Sequence, residues 1–330
     1  MRIENYIVLL ASVVLCSCGQ PDITEDLRSI ERCSEAPVAI SSAGCFAYEG
    51  KGYVIGGRTN NYTPTNHLYC YDPQRDEWSD LGETALKPCI RPRAATVGDQ
   101  VYMGLGMNGK VLIDSTYIRQ WWRWTPATNQ WDTMADYPSD RTVGPAVAAD
   151  ERYVYACYGG KQNFERWIFR YDTQTDEWTK MADGLARMAS YPPRANSITG
   201  AVCGGRLYIG SGYFRTSEDF WVEAECRDDS VIWHRCTPLN GKRHNAVAAT
   251  DDRSIYIAGG HYYGGTLTTG MLYDDILRYD PEKDRWTRIG HLPDGGRENM
   301  TGWVIDGYLY IGLGNDRNNH PCAELYRIAL

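Results

Sequence analysis

The sequence has 330 residues, of which 43% are hydrophobic and 12% aromatic, and its formal net charge at neutral pH is −8. A chain of this length holds enough apolar residues for the core of one or two domains. Because the charge balance is acidic and no run of basic residues occurs, the composition argues against a protein built to bind nucleic acid or an anionic membrane surface.

The N-terminal stretch has the features of an export signal. A single Arg precedes an apolar run of about ten residues, from Tyr6 to Leu15, which is too short to span a bilayer as a helix. The run ends in Leu15-Cys16-Ser17-Cys18, which resembles the lipobox of bacterial lipoproteins. That resemblance implies cleavage before Cys18 and lipidation of its thiol and new amine. An ordinary signal peptide cut nearby, or a misread start, is the alternative.

We therefore expect a signal peptide over residues 1–17 and a short tether over residues 18–26. The tether is polar and acidic, and it loosely resembles the export tag of surface lipoproteins in the Bacteroidetes. The expected location is the cell envelope, at the outer membrane, with the lipid on Cys18 as the membrane attachment. The leaflet and the oligomeric state stay open.

The remainder of the chain is repetitive. Six apolar, strand-like runs each end in glycine, and they recur at a spacing of roughly 50 residues. The closing glycines are Gly57, Gly106, Gly160, Gly212, Gly260 and Gly314. After five of these runs a Trp follows an aromatic residue or Cys by seven positions. The pairs are Tyr71 with Trp78, Trp124 with Trp131, Tyr171 with Trp178, Cys226 with Trp233, and Tyr279 with Trp286.

Glycine, aromatic residue, polar turn and Trp in this order resemble the kelch repeat. The resemblance implies an all-β fold, a six-bladed kelch-type β-propeller over residues 27–330, with each Trp wedged between adjacent blades. The last blade lacks its Trp and has no room for a fourth strand. We therefore predict that residues 28–37 pair with residues 324–330 and close the ring, which removes a free sheet edge.

The cysteines give no disulfide framework. Nine remain if Cys16 leaves with the signal and Cys18 carries lipid, and most fall at predicted strand positions, where cysteine is a small buried hydrophobe. Cys226 and Cys236 flank one predicted hairpin, but their expected register is diagonal and a bond between them is the less favoured outcome. No zinc-type spacing occurs, so neither a metal nor a cofactor is predicted.

A candidate site lies on the face where the first strand of each blade begins. Three of these starts read Arg-x-Asn, with Arg141 at the matching place in blade 3 and Arg91 or Arg93 in blade 2. Guanidinium groups around a concave mouth suit a carboxylate- or sulfate-bearing ligand, although arginines here can instead tie blades together. The three motifs are Arg194 with Asn196, Arg243 with Asn245, and Arg297 with Asn299.

Loops after the second strands add aromatic and polar groups to the same face, as at a sugar-binding surface or an ordinary exposed loop. The candidate ligand contacts there are Tyr213, His261 and Tyr262. Glu298 is the only acid inside an Arg-x-Asn motif, and Asp316 is expected in the loop of the same blade. Together they are the candidate proton carriers for acid–base chemistry.

The favoured function is a binding module for a glycan, an acidic sugar or an envelope protein. The alternative is a sugar mutarotase or epimerase with Glu298 as proton carrier, and an assembly scaffold that uses the outer rim is a third class. The chain distantly resembles the propellers of galactose oxidase and of the periplasmic N-acetylneuraminate epimerase. No copper ligand set of galactose oxidase can be matched here, and the epimerase's functional residues are not transferred.

Overall fold

The computed structural model describes residues 23–60, 63–109, 117–139, 144–159, 167–183, 192–264 and 270–330. Within these ranges every regular element is a β-strand. None of the described residues forms a helix long and apolar enough to cross a membrane. The expected signal peptide over residues 1–17, the lipidation candidate Cys18, the ligand candidate Arg141 and the closing glycine Gly160 lie outside the described residues.

Six antiparallel sheets make up the fold, and each is one blade. Blade 1 contains β3 (Gly44–Tyr48), β4 (Lys51–Ile55), β5 (His67–Asp72) and β6 (Glu77–Glu83). Blade 2 contains β7 (Arg93–Val97), β8 (Gln100–Gly104), β9 (Trp121–Thr125) and β10 (Gln130–Met134). Blade 3 contains β11 (Ala146–Ala149), β12 (Tyr153–Cys157), β13 (Ile168–Asp172) and β14 (Glu177–Lys180).

The second half continues the pattern with small additions. Blade 4 contains β16 (Thr199–Cys203), β17 (Arg206–Gly210), β20 (Trp221–Arg227) and β21 (Ser230–Arg235), with β15 (Ala182–Asp183) added in parallel. Blade 5 contains β22 (Val247–Thr250), β23 (Ile255–Ala258), β26 (Asp275–Asp280) and β27 (Arg285–His291). Blade 6 contains β28 (Thr301–Ile305), β29 (Tyr308–Gly312) and β30 (Leu325–Ala329). Loop ribbons are β18 (Tyr213–Phe214) with β19 (Thr216–Ser217), and β24 (His261–Tyr262) with β25 (Met271–Leu272).

The first strands form the inner wall of a central channel. Each of β3, β7, β11, β16, β22 and β28 contacts the next, and β28 contacts β3, so the ring is closed. The hydrophobic core lies between blades, because one cluster joins Val54 and Tyr71 of blade 1 to Trp303 and Leu325 of blade 6. The all-β, six-bladed propeller predicted from the repeats is confirmed.

The N-terminal segment completes the last blade. Strand β2 (Ile30–Arg32) pairs antiparallel with β30, placing Ile30 opposite Ile328 and Arg32 opposite Tyr326, as predicted. Strand β1 (Thr24–Glu25), inside the stretch expected to be the tether, adds a parallel strand to blade 5. The carboxylate of Glu25 accepts a hydrogen bond from Arg288 at 2.7 Å and helps hold β1 there.

The spacing of seven between Tyr and Trp has a structural cause. Tyr171 lies directly opposite Trp178, and the Tyr171 hydroxyl donates to Asp176 at 2.8 Å. Asp176, in a left-handed turn, also accepts the amide of Ala135 at 2.8 Å, while the Trp178 indole donates to the carbonyl of Ala135 at 2.9 Å. Asp76 and Asp284 make the same links in blades 1 and 5. The Trp therefore reaches the preceding blade, as expected.

Blade 4 departs from this register. Cys226 pairs with Val231, and Trp233 lies opposite Ala224, so the aromatic pair is missing there. Cys226 and Cys236 are both free thiols, because Cys236 lies beyond the paired end of the same hairpin. This agrees with the less favoured status of that disulfide.

Candidate ligand site at the channel mouth

One residue per blade turns the chain into the channel. Each such residue lies two positions before an inner strand and has a left-handed backbone, with φ between 51° and 57°. This conformation is uncommon for non-glycine residues and for Arg in particular. We call the set the mouth ring: Ser42, Arg91, Gly144, Ser197, Asn245 and Asn299.

Backbone hydrogen bonds join the mouth ring from blade to blade. The amide of Asn299 donates to the carbonyl of Asn245 at 2.9 Å, and the amide of Ser42 donates to Asn299 at 3.1 Å. The amide of Arg91 continues the chain to Ser42 at 2.7 Å. Side chains of the ring line a cavity of about 120 Å³ at the channel mouth. These hydrogen bonds fix the backbone of the mouth ring and therefore the positions from which its side chains extend into the cavity.

The residue before each ring position bridges to the loop after the second strand. His244 pairs with His261, Glu298 pairs with Asn315, and Asn196 pairs with Tyr213. Asn196 thus occupies the place of His244 and Glu298, not that of Asn245 and Asn299. The triple Arg-x-Asn alignment is therefore wrong in blade 4, where the ring residue is Ser197 and the exposed Arg194 lies one position out of register.

Arg243 and Arg297 serve the scaffold. The Arg243 guanidinium is fully buried and donates to both carboxylate oxygens of Asp275, at 2.5 and 3.0 Å, and to backbone carbonyls around it. It also lies 3.8 Å over the ring of Tyr273. Arg297 is 3% exposed and lies 3.1 Å from Glu324. The scaffolding alternative therefore describes these two arginines.

Two other arginines lie inside the channel. Arg91 reaches across the mouth and donates to the hydroxyl of Ser197 at 3.2 Å. Arg93, at the start of β7, lines the cavity, and its buried Nε has no hydrogen-bond partner among the described residues. Neither guanidinium forms an ion pair within the described part of the chain. The sequence offered either one as the blade 2 member, and the structure brings both into the channel.

Electrostatics at the mouth favour negative charge. Burial lowers the pKa of Arg93 to about 10, and the charge of Arg91 acts in the same direction. Burial also lowers the pKa of Arg91, with Arg58 reinforcing the shift and Glu298 opposing it. Arg93 therefore remains charged at neutral pH, and Arg91 is charged as well because an arginine guanidinium does not lose its proton in proteins. A desolvated cation without a counter-ion is costly, so an anion placed between them would be strongly held.

A histidine and carboxylate cluster lies beside the ring. The Asn245 amide donates to Glu298 Oε2 at 2.7 Å, and His261 Nδ1 lies 3.6 Å from the same oxygen. Burial alone would raise the pKa of Glu298, but the nearby imidazole of His261 and the hydrogen bond from Asn245 outweigh it and lower the pKa. Burial lowers the pKa of His244 to about 4, so this imidazole is neutral at physiological pH.

The tautomer of His244 is coupled to the hydrogen bonds of Ser217. Ser217 Oγ accepts the amide of Tyr263 at 2.8 Å and lies 3.2 Å from the carbonyl of His261, which can only accept. When the hydroxyl proton is donated to that carbonyl, His244 Nδ1, 2.9 Å from the same Oγ, donates the remaining hydrogen bond, and Nε2 keeps a free lone pair.

The remaining sequence candidates surround this cluster. The Tyr213 ring lies 5.3 Å from that of His244, and Tyr262, which follows His261 in the chain, is exposed. Asp316 is not a partner of Glu298 in the described structure, because its carboxylate accepts the amides of Asn318 and His320 within its own loop. Ser42 and Ser197 were missed by the sequence reasoning, since neither carries charge and only the repeated left-handed turn marks them.

Comparisons with known proteins agree with this architecture. The family described as Kelch motif matches residues 40–84, 141–184 and 242–293. The solved structure of YjhT superposes with a TM-score of 0.70 over 89% of this chain and 95% of that chain, at 14% identity. The chain is a six-bladed kelch-type propeller.

Curated relatives of this kelch-type propeller are distant and longer. Kelch-like protein 38 of Homo sapiens is 25% identical over 271 residues, which cover 79% of this chain and 42% of that protein. Beta-scruin of Limulus polyphemus is 28% identical over 255 residues, covering 71% of this chain and 26% of that protein. The chain thus spans less than half the length of these relatives.

Proposed function

We propose that this propeller is a binding module whose channel mouth holds a small carboxylate-bearing ligand, with acidic sugars as the best-matched class. The observation that carries the proposal is the pair Arg91 and Arg93, two charged groups in the cavity without an ion-pair partner among the described residues. A carboxylate between them would accept two-point hydrogen bonds and neutralise a desolvated charge.

The surroundings suit a polyhydroxylated ligand. Ser42, Asn245 and Asn299 of the mouth ring line the same cavity and offer hydroxyl and amide groups. A cavity of about 120 Å³ takes a carboxylate and a few more atoms, so the rest of a sugar would lie above the ring, beside Tyr213 and Tyr262. Aromatic rings at such a place can pack on the apolar face of a sugar.

A thermal-shift screen against acidic and neutral sugars tests this proposal. A ligand at about 100 times its Kd stabilises the folded state by about 2.7 kcal/mol, which is readily seen as a rise in Tm. Wild type should respond to N-acetylneuraminate or glucuronate and not to neutral sugars. Arg91→Gln should lose the response, whereas the control Arg194→Gln, at an exposed position outside the mouth ring, should keep it.

A response to no sugar would contradict the proposal and leave a protein partner as the leading candidate. The competing hypothesis of acid–base anomer exchange makes a different prediction. Glu298, held by Asn245 at 2.7 Å, would be the proton carrier, so Glu298→Gln should still bind the sugar but no longer speed exchange.

The proposed setting is the cell envelope, with the propeller tethered through lipid on Cys18. Its support is the sequence alone, namely the short apolar run and the lipobox-like residues that follow it. Metabolic labelling of the expressed protein with a fatty-acid analogue tests it. Cys18→Ser should abolish the label, and Cys322→Ser should retain it.

A further inference from the structure

We propose that His244, His261 and Glu298 form a binding site for a zinc-type divalent cation on the rim of the channel mouth. Each residue offers one ligand atom, and these atoms lie within 4.8 Å of one another. Two His and one Glu are a ligand set that zinc uses with a fourth position open. The sequence spacing could not reveal it, since the carboxylate comes from a different blade.

The backbone holds the three side chains together. His244 and His261 face each other across a β-bridge between the start of blade 5 and the loop after its second strand. Glu298 has the equivalent position at the start of blade 6, next to the ring residue Asn299. Tetrahedral zinc needs ligand atoms about 3.3 Å apart, so only small side-chain rotations would bring these three atoms into place.

The hydrogen bonds around His244 and Glu298 also suit the binding of a cation. In the tautomer in which His244 Nδ1 donates to Ser217 Oγ, the lone pair of the ring is on Nε2, where it can bind a metal. A hydrogen bond on the second nitrogen is the usual support of a metal-binding His, since it fixes the ring's orientation and tautomer. Asn245 does the same for the Glu298 carboxylate through its 2.7 Å hydrogen bond.

The site is reachable and does not depend on the proposed sugar. The side chains of His261 and Glu298 are 29% and 16% exposed, which allows a cation to enter from solvent. The positive charge of Arg91 acts on His244 and therefore weakens cation binding. Removing that charge should strengthen zinc binding and abolish binding of the acidic ligand. The same variant therefore distinguishes a failure of the zinc proposal from a failure of the sugar proposal.

Calorimetric titration of the chelator-treated full chain with zinc sulfate tests the proposal. Wild type should bind one zinc ion, and tetrahedral Co²⁺ should give its visible d–d absorption. Loss of a residue that only orients a ligand costs about 10- to 100-fold in metal affinity, so loss of a ligand should cost at least about tenfold. His261→Gln and Glu298→Gln should both show this loss.

A matched control is available in blade 5. His291 Nδ1 lies 3.2 Å from Asp274, a His–carboxylate pair without a second His, and His291→Gln should leave zinc affinity unchanged. Arg91→Gln should bind zinc at least as tightly as wild type. The proposal is overturned if wild type binds no zinc, or if His291→Gln loses as much affinity as His261→Gln.

Discussion

Arg243, which is buried, and Arg93, which is half-buried with a buried Nε, should respond in opposite ways to replacement by Met. Arg243 donates to both oxygens of Asp275 and to backbone carbonyls, whereas Arg93 has a buried Nε without a partner among the described residues. Met has a similar length and no charge, so both changes keep most of the packing. The comparison therefore isolates what each guanidinium contributes to the free energy of unfolding.

The expected magnitudes differ in sign. Arg243→Met leaves the Asp275 carboxylate buried without its counter-ion and should lower the free energy of unfolding by about 3 to 5 kcal/mol. Arg93→Met removes an unsatisfied donor together with its desolvation penalty and should raise that free energy by about 1 to 3 kcal/mol. A higher free energy of unfolding in Arg93→Met would indicate that the guanidinium serves ligand binding and does not stabilise the fold.

Urea unfolding followed by tryptophan fluorescence measures both variants. We expect a higher urea midpoint than wild type for Arg93→Met and a lower one for Arg243→Met, with unchanged slopes. If Arg93→Met is destabilised as much as Arg243→Met, the Arg93 guanidinium has a structural partner. The inference of a ligand from its burial would then be refuted.

Three further outcomes are expected. Asp176→Ala should lower the free energy of unfolding by about 1 to 3 kcal/mol, because it removes the acceptor for the Tyr171 hydroxyl and for the amide of Ala135. The control is Asp228→Ala, in the left-handed turn between the third and fourth strands of blade 4, which should change the urea midpoint little. Deleting residues 1–33 should lower Tm and expose the edge of blade 6 to self-association, because β2 no longer covers β30; an unchanged Tm by calorimetry would contradict the closure. Hydrogen bonds from Lys51, Arg152 and Lys283 lower the pKa values of Asp72, Asp172 and Asp280 respectively, so their stabilisation is present above the usual Asp pKa near 4 and is lost as pH falls below it. Between pH 7 and pH 3 the urea midpoint should decline less in Asp172→Asn than in wild type.

The fold was readable from the sequence because each blade repeats the same physical requirements. Tyr171 and Trp178 must be seven positions apart to lie opposite each other across a tight turn. The missing fourth strand of blade 6 likewise required a strand from elsewhere, and Ile30 to Arg32 supply it. Such constraints act within one blade or concern the closure of the ring, so the spacing of residues in the sequence is enough to reveal them.

The site was only partly readable, since it depends on register at the channel mouth. A shift of one residue placed Ser197, and not Asn196, on the mouth ring, and the Arg-x-Asn pattern gave no sign of it. Whether an arginine serves scaffold or ligand depends on its counter-ion, as Asp275 shows for Arg243. The cluster of His244, His261 and Glu298 could not be predicted from spacing, because it forms only where blades 5 and 6 lie side by side.

We propose that Arg91 and Arg93 together hold a carboxylate at the channel mouth. The decisive experiment is isothermal titration of wild type and Arg93→Met with N-acetylneuraminate and with neutral N-acetylglucosamine. We expect the acidic sugar to bind wild type alone and the neutral sugar to give no heat with either protein. Equal binding of the acidic sugar by both proteins would contradict it.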